Sequence, residues 1–135
     1  QRCQKLLVEF SDRSRVAKQN IFNLEFNDRD FDLTLCFRLL HHFEDRTTQV
    51  QLVRELCRVT DRYVMISYFS TYSVTALRRR LRKFFRNKPV KQNPTPLNEL
   101  VRMFTDQGFV LKKKIKRSGF VHSLQLAVFE RIQTS

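Results

Sequence analysis

Two short apolar runs, FDLTLCF at 31–37 and RYVMISYF at 62–69, bracket a stretch in which Val50, Val53, Leu56 and Cys57 recur at helical spacing. The runs are short and rich in residues that favour extended backbone, so each predicts a strand, and FDLTLCF is apolar enough to predict burial on both faces. The intervening residues 47–59 predict an amphipathic helix. Strand, helix and strand in that order imply a parallel βαβ unit, because two parallel neighbours need a crossover of a dozen residues or more.

The flanking residues extend this pattern. Cys3, Leu6, Leu7 and Phe10 fall at helical spacing and suggest the tail of a helix. RVAKQNIF, from residue 15, predicts a short strand followed by the turn-rich NLEFNDRD. Val74, Leu77, Leu81, Phe84 and Phe85 make an apolar stripe on a helix whose other faces are basic, and the linker VKQNPTP follows. Thr95 is expected to cap a helix that opens on Pro96, buries Leu97, Leu100, Val101 and Phe104, and stops at Gly108. FVLKKKIKR and FVHSLQLAVFERI then predict an antiparallel hairpin turning at Ser118 and Gly119. The fold expected is α/β, a three-layer Rossmann-like sheet whose parallel strands run into an antiparallel C-terminal hairpin. A chain of 135 residues, 41% of them apolar, has room for one such domain.

The net charge of +13 is concentrated in two places. Residues 78–91 carry Arg78, Arg79, Arg80, Arg82, Lys83, Arg86, Lys88 and Lys91, and residues 112–117 carry five more cations; neither stretch holds an acid. These thirteen account for the whole excess, so the rest of the chain is electrically balanced. Eight cations exceed what solubility requires, and Arg78, Arg79, Arg80, Arg82, Lys83 and Arg86 are expected to meet an anionic partner. Cys3, Cys36 and Cys57 show no paired spacing and sit within apolar patterns, which points to free thiols in a reducing compartment. No run reaches the roughly 18 consecutive apolar residues of a membrane span. A cytoplasmic protein, peripheral at most to the inner face of a membrane, is the expectation.

FDLTLCFRLLHHFED, with the helix and LCRVTDRYVMISYF after it, resembles the fourth-strand and fifth-strand segments of small-molecule class I S-adenosylmethionine-dependent methyltransferases. Those segments read Phe-Asp-Leu-Val, then Leu-His-His, a helix, and an Arg-Val-Leu-Lys-Pro-Gly-Gly turn into a strand. Here the turn is Arg58, Val59, Thr60, Asp61, Arg62, without glycines. RVAKQNIFNLEF is similar to the third strand and following loop, and LNELVRMFTDQGFVLKKKIKR to the last helix, its Gly-Phe and the sixth strand. The resemblance runs along nearly all 135 residues, which read as the C-terminal part of such a domain, with residues 72–93 as a basic lid-like helix and linker. The family's Gly-x-Gly-x-Gly loop and the acid ending its second strand have no counterpart, since the only glycines are Gly108 and Gly119. The chain by itself is therefore expected to bind cofactor poorly, and a sheet lacking its central strands is expected to self-associate.

The resemblance implies S-adenosylmethionine as cofactor, Asn20 and Ile21 at its adenine edge, and Cys36, Phe37 and Arg38 near its sulfonium end. Gln19 and Asn20 stand where the family has Gly-Asp, so any hydrogen bond from an adenine amino group to Asn20 lacks charge assistance. His41 and His42 are candidates for acid–base work because imidazole titrates near neutrality, although in this family they often only pack the loop beneath the cofactor. Tyr68 and Tyr72 are candidates to face the acceptor. Adjacent histidines with His122 far away lack metal-ligand spacing, and no metal is expected. The expected partners are a small, anionic or lipid-linked methyl acceptor and an anionic membrane surface. A rival expectation is a non-catalytic basic module that binds membrane phosphates or nucleic acid through 78–91 and 112–117; no nucleic-acid motif favours the second of these ligands.

Overall fold

The computed structural model of the chain describes residues 15–69, 95–116 and 124–133. They form strand β1 (Phe31–Cys36), helix α1 (Arg46–Val59), strand β2 (Thr60–Phe69), helix α2 (Leu97–Thr105), strand β3 (Phe109–Lys116) and strand β4 (Leu124–Arg131). The sheet order is β1-β2-β4-β3. β1 and β2 run parallel, with Leu35 beside Met65 and Cys36 beside Ile66. β4 is antiparallel to both β2 and β3. This is the mixed α/β sheet that the strand–helix–strand pattern implies; residues 117–123, which join the hairpin, lie outside the described residues, as do 1–14 and 70–94.

Local chemistry explains the helix ends. The Asp45 carboxylate accepts the Thr48 N–H at 2.8 Å and opens α1, and this capping holds the Asp45 carboxyl below the usual carboxylate range. At the other end α1 passes into β2 without a glycine. Its late carbonyls are taken instead by separate donors. The Leu56 oxygen accepts the Thr60 hydroxyl, and the Arg58 oxygen the Arg29 N–H. The Cys57 oxygen accepts from the guanidinium of Arg131 of β4, which also donates to the oxygens of Thr60 and Asp61. That arginine also lies over the Phe109 ring at 4.6 Å. α2 begins one residue later than its sequence suggests. Pro96 occupies the cap position and Thr95, expected to cap, is buried and donates its hydroxyl to Gln49 Oε1 at 3.0 Å. Gly108 ends the helix with φ of +76°, the left-handed conformation in which a side chain is strained.

Both helices pack on one face of the sheet. Leu52, Val53, Leu56 and Cys57 of α1 and Leu100, Met103 and Phe104 of α2 enclose a core with Val64, Ile66, Ala127 and Phe129. Phe104 stacks on Phe129 at 3.9 Å between ring centroids and meets Phe109 edge-on. An Arg46–Glu99 ion pair links the helices at the surface.

Two strand expectations are corrected. Residues 15–22 form no strand; one bridge, Asn20 to Asn23, stands there instead. β1 is not buried on both faces. Thr34 turns toward the helices, its hydroxyl 2.6 Å from that of Thr60, while Leu33 and Leu35 on the opposite face are 49% and 60% exposed. The described residues supply two of the expected three layers.

Candidate functional site

Open α/β sheets bind ligands at the carboxyl ends of their parallel strands. Here that end is built from the close of β1, the turn after it and the 19–25 loop. β1 ends at Cys36; two residues on, Arg38 turns left-handed (φ 56°) and its N–H donates to Ser67 Oγ of β2 at 2.6 Å. The turn leaves Phe37 54% exposed at the strand end. A single 3-10 turn, Leu40–His42, follows and buries Leu40 and His41 against β2. Phe43 then meets Phe22 edge-on at 5.3 Å, which brings the Asn20–Asn23 turn alongside.

The 19–25 loop is shaped by its own amides. Asn20 Oδ1 accepts the Phe22 N–H at 3.1 Å, and Gln19 Oε1 accepts the Glu25 N–H at 3.2 Å. Ile21 packs against the core. The Asn20 carbonyl oxygen, expected at an adenine amino group, thus already holds the turn and keeps one lone pair for a ligand.

Beyond it the loop is clamped by Arg58, at the end of α1. Its guanidinium donates to the carbonyls of Leu24 and Phe26 and to the carboxylates of Asp28 and Glu55. Glu55 in turn accepts the Leu24 N–H at 2.8 Å. Hydrogen bonding from Arg58 holds the Glu55 carboxyl below its ordinary range. Sequence reading missed this clamp and Ser67, because partners about 30 residues apart leave no local pattern.

The electrostatics sort the expected residues. Burial pushes the Cys36 thiol up to about 11, against a smaller opposing effect from a backbone hydrogen bond at Leu40, so it stays a protonated thiol. Burial also raises Cys57, to about 12. Burial first, and then the neighbouring His42 and Arg38, lower the His41 imidazole below its ordinary value. Its ring lies 4.2 Å from that of the exposed His42. Tyr68, a candidate to face the acceptor, is buried on the helix side; its hydroxyl donates to Gln125 Oε1 at 2.7 Å, and burial raises its phenol. Tyr72 and the basic residues Arg78, Arg79, Arg80, Arg82, Lys83 and Arg86 lie outside the described residues. Among the described residues no three His, Cys, Asp or Glu gather to hold a metal, and no helix is long and apolar enough to cross a membrane.

The structure brings together Asn20, Ile21, Cys36, Phe37, Arg38, His41 and His42, and residues 2–65, which contain all of them, match the methyltransferase domain family. That match takes in a little under half of the chain, and the fold is similar to that of solved S-adenosylmethionine-dependent methyltransferases. Its fold is similar to that of magnesium protoporphyrin IX methyltransferase from Synechocystis, solved with bound S-adenosylhomocysteine, at TM-score 0.79 and 14% identity, covering 97% of this chain and 57% of that one. A SAM-dependent methyltransferase from Methanosarcina mazei aligns at TM-score 0.65 and 18% identity, covering 96% and 77%. The mitomycin 7-O-methyltransferase MmcR aligns at 0.72 and 13%, covering 96% and 38%. The chain thus spans little more than half the length of the Synechocystis methyltransferase. No curated protein sequence matches it.

Proposed function

We propose that the chain forms the carboxyl-end half of an S-adenosylmethionine site and serves methyl transfer to a small acceptor. The observation that supports this is the convergence, within a segment matching the methyltransferase domain, of the Asn20 turn, the exposed Phe37–Arg38 strand end and the Leu40–His42 turn. Asn20 and Ile21 would edge the adenine, and the backbone at Phe37 would lie near the sulfonium. When bound, the cofactor supplies an electrophilic methyl on sulfur, which an acceptor atom takes in line as the carbon–sulfur bond breaks. This chain's part is then to orient and to exclude water. A buried His41 suits packing beneath such a site better than donating a proton. Structures of similar fold include an O-methyltransferase solved with S-adenosylmethionine and 2-hydroxy-5-methyl naphthoic acid, which favours a small-molecule acceptor here.

The glycine-rich cradle for the methionine portion has no counterpart among the residues of this sequence. Titration calorimetry is therefore expected to show little binding by the 135-residue chain, and binding once it is joined to a segment carrying that loop. In the joined protein Asn20→Ala is expected to weaken the cofactor by about 1 kcal/mol, one hydrogen bond. Micromolar binding by the chain alone, or an unchanged dissociation constant for Asn20→Ala, would move the site elsewhere.

A further inference from the structure

Arg58, in the last turn of α1, reaches the loop that carries Asn20 and Ile21. All five N–H groups of its guanidinium are engaged. Nε and Nη2 donate to the two Glu55 oxygens, Nη2 also to the Leu24 carbonyl, and Nη1 to the Phe26 carbonyl and Asp28. The Glu55 oxygen that takes Nη2 also accepts the Leu24 N–H at 2.8 Å, so both backbone groups of Leu24 are held by the end of one helix. Asp28, with its side chain 76% exposed, adds little to this grip. Glu55 is only 12% exposed, and the two carbonyls are spanned by the planar fork of an arginine.

Leu24 stands directly after the Asn20–Asn23 turn, in which the Asn20 carbonyl accepts the Asn23 N–H at 3.0 Å and Asn20 Oδ1 accepts the Phe22 N–H at 3.1 Å. A turn anchored at the next residue cannot swing without breaking the hold on Leu24. On its other flank the Phe22 ring rests edge-on against Phe43, so the turn is fixed between the end of α1 and the segment that follows β1. We propose that Arg58 is a positioning residue for the cofactor: through Leu24 it fixes the turn whose Asn20 amide and Ile21 backbone meet the adenine. This rests on the adenine reading of Asn20 and Ile21 given above. Arg58 acts through the loop and not on the ligand. What it supplies is preorganisation, since a loop ordered before the ligand arrives does not subtract its ordering entropy from binding. A lysine at this position would keep the charge and lose the fork, because an ammonium is a compact point charge that cannot span two carbonyls and a carboxylate.

The test uses the chain joined to a segment carrying the glycine-rich loop, as above, with S-adenosylhomocysteine as the probe. Arg58→Gln and Arg58→Lys are each expected to weaken its binding about tenfold in titration calorimetry, the scale of one lost charged hydrogen bond. Arg102→Gln, at an exposed arginine of α2, is expected to leave it unchanged. In an Asn20→Ala background the loss from Arg58→Gln is expected to shrink, because the two residues act through one turn. Hydrogen exchange without cofactor gives a second readout. Either Arg58 variant is expected to speed exchange at Phe22, Asn23 and Leu24 and to leave the paired strand residues Val64 and Phe129 as they are. Binding that Asn20→Ala weakens and Arg58→Gln does not overturns the proposal and leaves the adenine reading standing. Binding that Asn20→Ala leaves unchanged removes that reading and the proposal with it. Fully additive losses, wild-type binding by Arg58→Lys, or faster exchange throughout the sheet also overturn it, since each gives Arg58 a role other than placing the turn.

Discussion

His41 shows how one side chain ties the site to the stability of the chain. Its folded-state pKa lies below the ordinary value of 6.5, through burial and then through the neighbouring His42 and Arg38. As pH falls, the unfolded chain therefore takes up this proton first. The sign follows: above about pH 6.5 His41 costs nothing, and below it the folded state loses stability until the folded histidine also titrates. The urea midpoint is expected to drop between about pH 7.5 and pH 5.5, and His41→Gln to remove most of that drop. An equal drop in the variant would show that another group titrates. Asp45, Glu55 and Glu130 do not confuse the reading, since their lowered carboxyls release stability only in more acid solution. For Glu130 the cause is first the Lys112 ammonium at 2.7 Å and then the Tyr63 hydroxyl.

At the scale of elements, α2 and β4 are joined by aromatic packing and α2 and β3 by a left-handed glycine. Phe129 is fully buried and stacked on Phe104, so Phe129→Ala is expected to destabilise by about 3–5 kcal/mol in urea denaturation. Gly108→Ala is expected to cost only about 1 kcal/mol, because an added Cβ would meet nothing within 4 Å and the penalty is conformational alone. A loss as large as that of Phe129→Ala would mean that Gly108 carries a packing role. Element limits were readable where local residues decide them: Gly108 as a stop, and the apolar spacing of residues 47–59. They were not readable where a distant side chain does the work. Arg131 satisfies the Cys57 carbonyl of α1 from β4, and Gln49 claims the hydroxyl of Thr95.

For the whole molecule the separation of charge matters most. Lys112, Lys113 and Lys114 line one sheet edge, and the larger cluster at 78–91 is contiguous in sequence with an apolar stripe from Val74 to Phe85. Each arginine near an anionic membrane contributes about 1 kcal/mol. The chain is expected to float with anionic vesicles and not with neutral ones, to be released by salt, and to lose most of this binding when Arg78, Arg79 and Arg82 are reversed in charge. Failure to float with either lipid would remove the case for an anionic acceptor.

The sequence by itself determined the βαβ unit and the closing antiparallel pair, because periodicity and strand length are local properties of the chain. Only the tertiary structure decided which face of each strand is covered. FDLTLCF carries the same residues whether a second layer lies over it or not, so its burial had to be read from Leu33 and Leu35 in place. The same holds for Tyr68, whose position in β2 was correctly anticipated but whose side, and so whose partner Gln125, depended on a one-residue phase that the pattern RYVMISYF leaves open.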